Sequence, residues 1–491
     1  MPDTQKPSIH QNVNRRTALL TFGMGAAVTG AAGRASTGKR QSAGGNESPL
    51  DIAILGAGLS GLTSARDLLR AGCDSFILFE ARERVGGRTC NHDIGNGVIS
   101  EGGGQWIGPG QTAIADLARE LGVETFESFF RGKTVYLVGD ERITQDVGTG
   151  GLGSHNSTIA KLNEMARNVP SEAPWTAPDA NDLDRQSLAD WLSTNTLTEE
   201  ERLTFSLSAS LTYGAPPENL SLLHYLTLIN SAKCDLEKLE AMAGGAQEKR
   251  FVGGSYILSA KMADQLEGHI RLSSPVRRIV GWDRDIVQIH TDSGTVHARQ
   301  LILAMSPSLC NQIQFDPPLP ADRCRLQQSW PTTARMRKAV HVYSRPFWRD
   351  KDLNGQIIQV DGPVVWSADN SPPDGSVGII TAFVREGSLP TDERNASAAL
   401  STIYAKALGD EALQPRQYHE IDWGTDPWSL SCTSPYPPGF LTRWGKIMRE
   451  PTGRLIWSGT DMAQLWPSSM DGAVRAGHAA ALQALRALVN S

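Results

Sequence analysis

Residues 51–89 read DIAILGAGLSGLTSARDLLRAGCDSFILFEARERVGGRT, and the order of parts within this stretch decides the fold. An apolar run, 51–55, passes into Gly56-Ala57-Gly58-Leu59-Ser60-Gly61. A segment with Leu62, Ala65, Leu68 and Leu69 at helical spacing follows, and a second apolar run ends in Glu80. Strand, glycine turn, helix and strand in this order make a dinucleotide-binding unit. Gly56 allows the tight turn, Gly58 lets the backbone approach a pyrophosphate, and Gly61 lets helix and strand pack closely. The helix N-terminus offers free N–H groups and a partial positive charge to the phosphates. Glu80, 19 residues beyond Gly61, stands where a carboxylate accepts hydrogen bonds from a ribose.

The next residues separate one dinucleotide from another. EARERVGGRT resembles the second half of the extended FAD fingerprint of the flavin amine oxidase superfamily, in which a Gly-Gly-Arg turn presents an arginine to the pyrophosphate. The resemblance falls on Glu80, Arg82, Gly86, Gly87 and Arg88. The glycine-rich SEGGGQWIGPGQ (100–111) suits a loop against the ribityl chain and flavin ring. Six further segments are similar, in the same order, to those of the monoamine oxidases: VPSEAPWTAP, QEKRFVGGSY, IQFDPPLP, RPFWRDKD, YPPGFLTRWG and SGTDMAQLWPSSMDGAVRAGHAA. The resemblance implies an α/β fold in which a discontinuous Rossmann-like FAD-binding domain carries an inserted α+β substrate-binding domain. Its segments would be 47–125, 251–327 and 426–491 for the first, and 126–250 and 328–425 for the second.

Patterning agrees where it speaks. IRLSSPVRRIVGWDRDIVQIHTDSGTVHARQLILAMSP (270–307) alternates apolar and polar residues about an Asp-Ser-Gly turn, as β-hairpin strands do, and LILAM then reads as a further buried strand. DGAVRAGHAAALQALRALV (471–489) reads as a helix with small residues along one side. By resemblance its first turn points N–H groups at the flavin ring.

The family's chemistry asks little of acids and bases: a neutral amine gives up hydride equivalents to the flavin, an imine forms and is hydrolysed, and dioxygen is reduced to hydrogen peroxide. Counting back from RPFW, Lys338 meets the lysine that holds a water at the flavin, a position where a buried ammonium needs hydrogen-bond partners. Trp423 matches a tryptophan beside the ring, and Gln247 matches a glutamine of the substrate cavity. Gly459, Thr460 and Asp461 match the loop touching the ribityl chain. Ser60, Gln105, Trp106, Val276 and Met470 are assigned by the same resemblance to the cofactor's surroundings.

Departures are equally informative. Monoamine oxidases flank the approach of the amine with two aromatic side chains. Here the second of these is Ser469, and the first is Thr433 or Cys432 according to the register chosen. The cavity is therefore expected to be wider and more polar, and the substrate bulkier or more hydroxylated than a small arylalkylamine. Trp428, Tyr436 and Trp466 are nearby aromatics that could replace the walls. Matched from its left, SLSCTSPYPPG (429–439) puts Cys432 where monoamine oxidases bond the flavin through sulfur; matched from its right, Ser431 falls there and Cys432 becomes a cavity wall. The second register, with a noncovalent flavin, is preferred.

Global properties bound the reading. A chain of 491 residues exceeds one core, and 40% hydrophobic with 20% charged residues is ordinary globular composition. A net charge of −6 without a dense basic block argues against nucleic acid. Six cysteines without metal-type spacing give neither a metal site nor a disulfide framework. Within 1–46, Arg15-Arg16 followed by a short apolar run and small residues reads as a twin-arginine export signal with its linker. A periplasmic or secreted enzyme without a membrane span once the signal is removed is expected, and resemblance implies a homodimer. Dehydrogenases that pass electrons to a cytochrome or quinone, amino-acid or polyamine oxidases, and a non-catalytic flavoprotein remain as alternatives.

Overall fold

Ile52, Ala53, Ile54 and Leu55 are all buried, because the strand Leu50–Leu55 lies inside a sheet covered on both faces. Ile52 and Ile54 join one hydrophobic cluster with Leu62, Leu68 and Val474. Ala53 and Leu55 join another with Leu301, Leu303 and Leu455. Both faces of a parallel strand must be apolar for this arrangement, and each large side chain so buried contributes about 1.5–3 kcal/mol.

The computed structural model describes residues 48–146, 156–196, 198–359 and 361–489. The predicted export signal and linker, 1–46, lie outside the described residues. The main sheet runs Ile270–Arg271, Phe76–Phe79, Leu50–Leu55, Gly294–Ala304, Val287–Thr291, Val276–Val280, Gln314–Asp316, with Leu455–Ser458 also paired to Gly294–Ala304. The second strand of the predicted hairpin and the predicted buried strand LILAM turn out to be one strand. The first half of Gly294–Ala304 pairs antiparallel with Val287–Thr291, and its second half pairs parallel with Leu455–Ser458 on that edge. Leu50–Leu55 runs parallel along the other edge. The strand thus hands its edge from the hairpin to the parallel layer without a break.

Helix Leu59–Arg70 covers one face and is crossed by the final helix, Met470–Val489. The small residues allow the approach: a Cβ on Gly477 would come within 2.5 Å of the Ser60 carbonyl oxygen. Ser64 donates from one helix to Gly477 O at 2.9 Å on the other.

A second layer is antiparallel, in the order Val364–Asp369, Gly378–Val384, Arg337–Tyr343, Gln417–Asp422. Its register aligns Trp366, Phe383, Lys338 and Ile421 as direct cross-strand neighbours. Such residues share one face of a sheet, and this rung becomes a wall of the site. Helices Glu199–Tyr213, Leu222–Ser231 and Leu236–Glu240 supply the opposing wall. No described helix is long and apolar enough to cross a membrane.

Candidate functional site

A cavity of about 420 Å³ runs from the Gly56–Gly61 turn to Lys338, and every predicted site residue except Gly61 lines it. Gly61 stands behind the wall, where a Cβ would fall 1.9 Å from the Gly56 carbonyl oxygen, so only glycine permits this helix to start so close to the strand. Gly56 has φ +100°, in the left-handed region. Above Gly58 nothing lies within 4 Å of the place a side chain would occupy. The Glu80 carboxylate ties the turn down, accepting from the N–H of Ala57 and of Arg82, each at 2.9 Å. Ser60 accepts from Gly459 N–H at 3.1 Å and pairs with the Ser458 hydroxyl at 2.8 Å.

Two helix N-termini therefore open onto one cavity, through Gly58 to Ser60 and through Ser469 and Met470. Both present positive dipole ends. With a carboxylate at one end, open backbone at Gly58 and an elongated cavity beyond, the residues fit a flavin dinucleotide. Arg88 bolts the far parts together, donating to Cys432 O at 2.9 Å and to the buried Asp461 carboxylate at 3.4 Å. Arg82 donates to Asp426 at 2.5 Å and Ser429 at 2.8 Å. Val276, Gly87, Gly459 and Thr460 complete the lining around these groups.

At the other end Lys338 is 2% exposed. It donates to Gly103 O at 2.7 Å and to the Gln105 side-chain oxygen, which leaves one of its three N–H groups for another partner. Burial pushes its pKa down to about 8, while Glu101 is the strongest influence holding it up. The link to Glu101 is a hydrogen-bonded series. Gln105 donates to Asn370 Oδ1 at 2.5 Å, Asn370 donates to Glu101 at 3.0 Å, and Glu101 pairs with Arg250 at 3.0 Å. Burial works to raise the Glu101 pKa, but Arg250, Lys338 and these hydrogen bonds outweigh it and hold the carboxyl below its ordinary value. Trp423, 3% exposed, donates to Gly102 O at 3.2 Å and faces the same space.

Both registers proposed for residues 429–439 keep Cys432 at the cavity. Cys432 lines the cavity, whereas the Ser431 hydroxyl turns to the Thr433 carbonyl at 2.6 Å. The Cys432 backbone is fixed on both sides, its N–H on Ala334 O at 3.0 Å and its carbonyl on Arg88. Burial pushes its thiol pKa up, and Arg88 and Lys338 pull it back. Thr433 donates to Tyr213 O at 2.5 Å and borders the cavity as a polar wall.

Ser469 has a second task that the sequence comparison concealed. Its hydroxyl accepts from Gly472 N–H at 3.1 Å, so it caps the final helix while lining the cavity. Of the three substitute aromatics, Trp428 lines this cavity and Trp466 lines the next; Tyr436 lines neither and donates to Asp461 O at 3.2 Å. Trp466 and Ser468 hold φ of +53° and +60°, the strained backbone expected of a site loop.

A larger cavity, about 1460 Å³, opens from the first past Trp106, Leu211, Gln247, Phe383 and Thr433, which border both. Trp106, Trp366 and Phe383 form the aromatic face of this neck, with ring centroids 5.4 to 6.1 Å apart. The Lys338 ammonium lies 5.4 Å from Trp106 and 5.7 Å from Phe383. Phe383 and Trp366 were not foreseen. Their alternation in GIITAFV and VVWSAD identifies strands, but only the register shows that they stand beside the lysine. Gln247 turns its amide nitrogen to the carbonyls of Glu240 and Ala241 at 3.2 and 2.9 Å, and so anchors the neck to the segment behind it.

Comparison with known proteins bears on what this arrangement does. The family model described as flavin containing amine oxidoreductase matches residues 59–485. The chain is 35% identical over 455 residues to the flavin-containing monoamine oxidase AofH of Mycobacterium tuberculosis, covering 88% of this chain and 96% of that protein. It is 32% identical to amine oxidase (flavin-containing) B of Homo sapiens over 459 residues, covering 89% of this chain and 86% of that one. Among solved structures, a putrescine oxidase redesigned in its cofactor binding superposes with a TM-score of 0.82 at 32% identity, covering 90% of this chain and 99% of the other.

Proposed function

The chain belongs to the flavin-containing amine oxidoreductases, enzymes acting on CH–NH groups, and on that premise we propose that it binds FAD and oxidises a primary or secondary amine to an imine, reducing dioxygen to hydrogen peroxide. One observation carries this reading: the Gly58 turn, Glu80, Lys338 and Trp423 line one cavity, which shares wall residues with a second, larger one with room for a substrate. When bound, the flavin supplies the two-electron acceptor for the α C–H of the amine.

The protein's own residues bind, orient and exclude. The two helix N-termini and Arg88 balance negative charge on the cofactor, while Glu80 holds the turn that receives it. Lys338, fixed by Gly103 and Gln105, keeps one N–H to hold a water at the reacting centre. The Trp106–Trp366–Phe383 face and Trp423 exclude bulk water and favour the neutral amine over its ammonium form. Thr433 and Ser469 stand where bulkier aromatic walls would narrow the approach, and this supports a substrate larger or more polar than a small arylalkylamine.

The reading divides the folded chain into a cofactor-binding part (47–125, 251–327, 426–491) and a substrate part (126–250, 328–425), and it places the enzyme outside the cytoplasm after twin-arginine export. The test is anaerobic bleaching of the bound flavin by a panel of amines, followed by peroxide measurement in air. One peroxide per imine supports oxidase action. Reduction of added cytochrome or quinone without peroxide would make the protein a dehydrogenase, and a flavin that no amine bleaches would remove the amine chemistry altogether.

A further inference from the structure

Helix Glu199–Tyr213 borders the two cavities in order. Leu211 and Thr212 face both, whereas Thr204, Leu207 and Ser208, earlier in the helix, face only the larger. Ser208 donates a hydrogen bond to the carboxylate of Glu240, the last residue of the short helix Leu236–Glu240. One turn separates Ser208 from the neck residues, so this carboxylate lies about 5 Å beyond the neck along the helix.

No lysine or arginine pairs with Glu240 among the described residues, and Ser208 is the one group that favours its ionised form. The neighbouring titratable groups are Tyr213 and Tyr225. Tyr213 spends its hydroxyl on the Tyr225 carbonyl at 3.1 Å. His224, in the same cavity wall, is kept neutral because burial lowers its pKa to about 3. Burial raises the Glu240 pKa to about 7. The other charged residues lining the larger cavity, Arg131, Asp146 and Asp352, are all exposed.

A carboxylate partly withdrawn from water without a cation carries a cost, and half-buried Glu240 borders the space that a substrate would fill. A cation arriving there gains a charge-assisted hydrogen bond and relieves that cost. We propose that Glu240 anchors a second, cationic group of the substrate, so that the preferred substrates are amines carrying another basic nitrogen at the far end of an apolar spacer. The spacer passes the aromatic neck, and the reacting nitrogen sits at the Lys338 end. This rests on the amine-oxidase reading above and assigns the substrate class to it.

The experiment compares α,ω-diaminoalkanes of increasing length with n-alkylamines of matching length, in the flavin-loaded wild type and in Glu240→Gln and Glu240→Asp, by kcat/KM at several pH values. The wild type is expected to favour one diamine length over its matching monoamine by about tenfold or more, the scale of a hydrogen bond to a charged group. That ratio is expected to collapse towards one in Glu240→Gln and to survive in part in Glu240→Asp. The diamine ratio should also rise with pH through about 7 in the wild type and stay flat in Glu240→Gln. Should neither variant fold, the wild-type ratio and its pH dependence still decide. A wild type that oxidises monoamines with no diamine advantage overturns this inference alone, as does an unchanged ratio in Glu240→Gln. A wild type that oxidises no amine overturns the function it rests on.

Discussion

Glu101→Gln separates the charge that supports Lys338 from the shape that surrounds it. Glu101 and Arg250 are 0% and 3% exposed and 3.0 Å apart. Removing the carboxylate's charge leaves the guanidinium buried without a counter-ion, its partners then being the glutamine amide oxygen, Ser371 O at 3.1 Å and the Phe126 ring 5.0 Å away. Breaking a buried pair in this way costs about 3–5 kcal/mol. With unfolding entropy near 2.1 cal/mol/K per residue, a folded unit of this length loses roughly 1 °C of Tm per kcal/mol, so a fall of about 3–5 °C is expected. Circular dichroism melts measure it. Because Glu101 is held below the ordinary carboxylate range, its contribution is complete above that range and disappears as pH falls through the folded value. Wild-type and variant stability curves should therefore converge in acid. Glu101 is also the main support of the Lys338 charge, so the alkaline limb of kcat/KM should move to lower pH. Adding Arg250→Met should restore a good part of the stability, since the penalty lies in the unpaired ion and not in the missing bond. A Glu101→Gln protein that melts within about 1 °C of wild type, or a double variant as unstable as the two singles summed, would refute the reasoning.

Gly61→Ala places a methyl 1.9 Å from the Gly56 carbonyl oxygen, so the purified protein should carry little flavin by its absorbance; full flavin content would show that the helix yields without cost. Cys432 lines the cavity as a wall in the preferred register, so the flavin is expected to be noncovalent: acid precipitation of the wild type should give a yellow supernatant, whereas a yellow pellet would mean that Cys432 holds the cofactor. Ser469→Ala removes the cap on Gly472 N–H and should cost about 1 kcal/mol, close to 1 °C in Tm, whereas an unchanged melt would mean that the first turn finds another acceptor.

The cofactor half was legible because its requirements are local. Gly56, Gly58, Gly61 and Glu80 are fixed by a turn, a helix start and a strand end within thirty residues of one another, and each answers to a steric or hydrogen-bonding need that shows in the residue type itself. The strand Gly294–Ala304 was divided in two because its pattern changes halfway, from hairpin alternation to continuous apolar burial. That change marks a change of partner along one edge, not a chain break, and partner identity is not encoded in periodicity.

The substrate half shows the limit more sharply. Lys338 could be aligned, but a lysine in an alternating strand is ordinarily exposed; what makes it part of a site is that Phe383 and Trp366 stand across from it on two adjacent strands. Register is set by pairing between segments far apart in sequence, so no local pattern announces the rung. Glu240 was invisible for the same reason. In LEKLEAMAGG it reads as a solvated helix end, and it becomes chemical only because Ser208, more than thirty residues earlier, and the cavity beyond the aromatic neck enclose it. Ser469 errs in the opposite direction. Its alignment to an aromatic wall suggested a role by loss, while its hydroxyl performs a task, capping the final helix, that an aromatic side chain at that position cannot. Width at this wall and stability of the helix aimed at the cofactor are thereby set by one residue, and a substitution that restores an aromatic there should narrow the cavity and weaken the cap together.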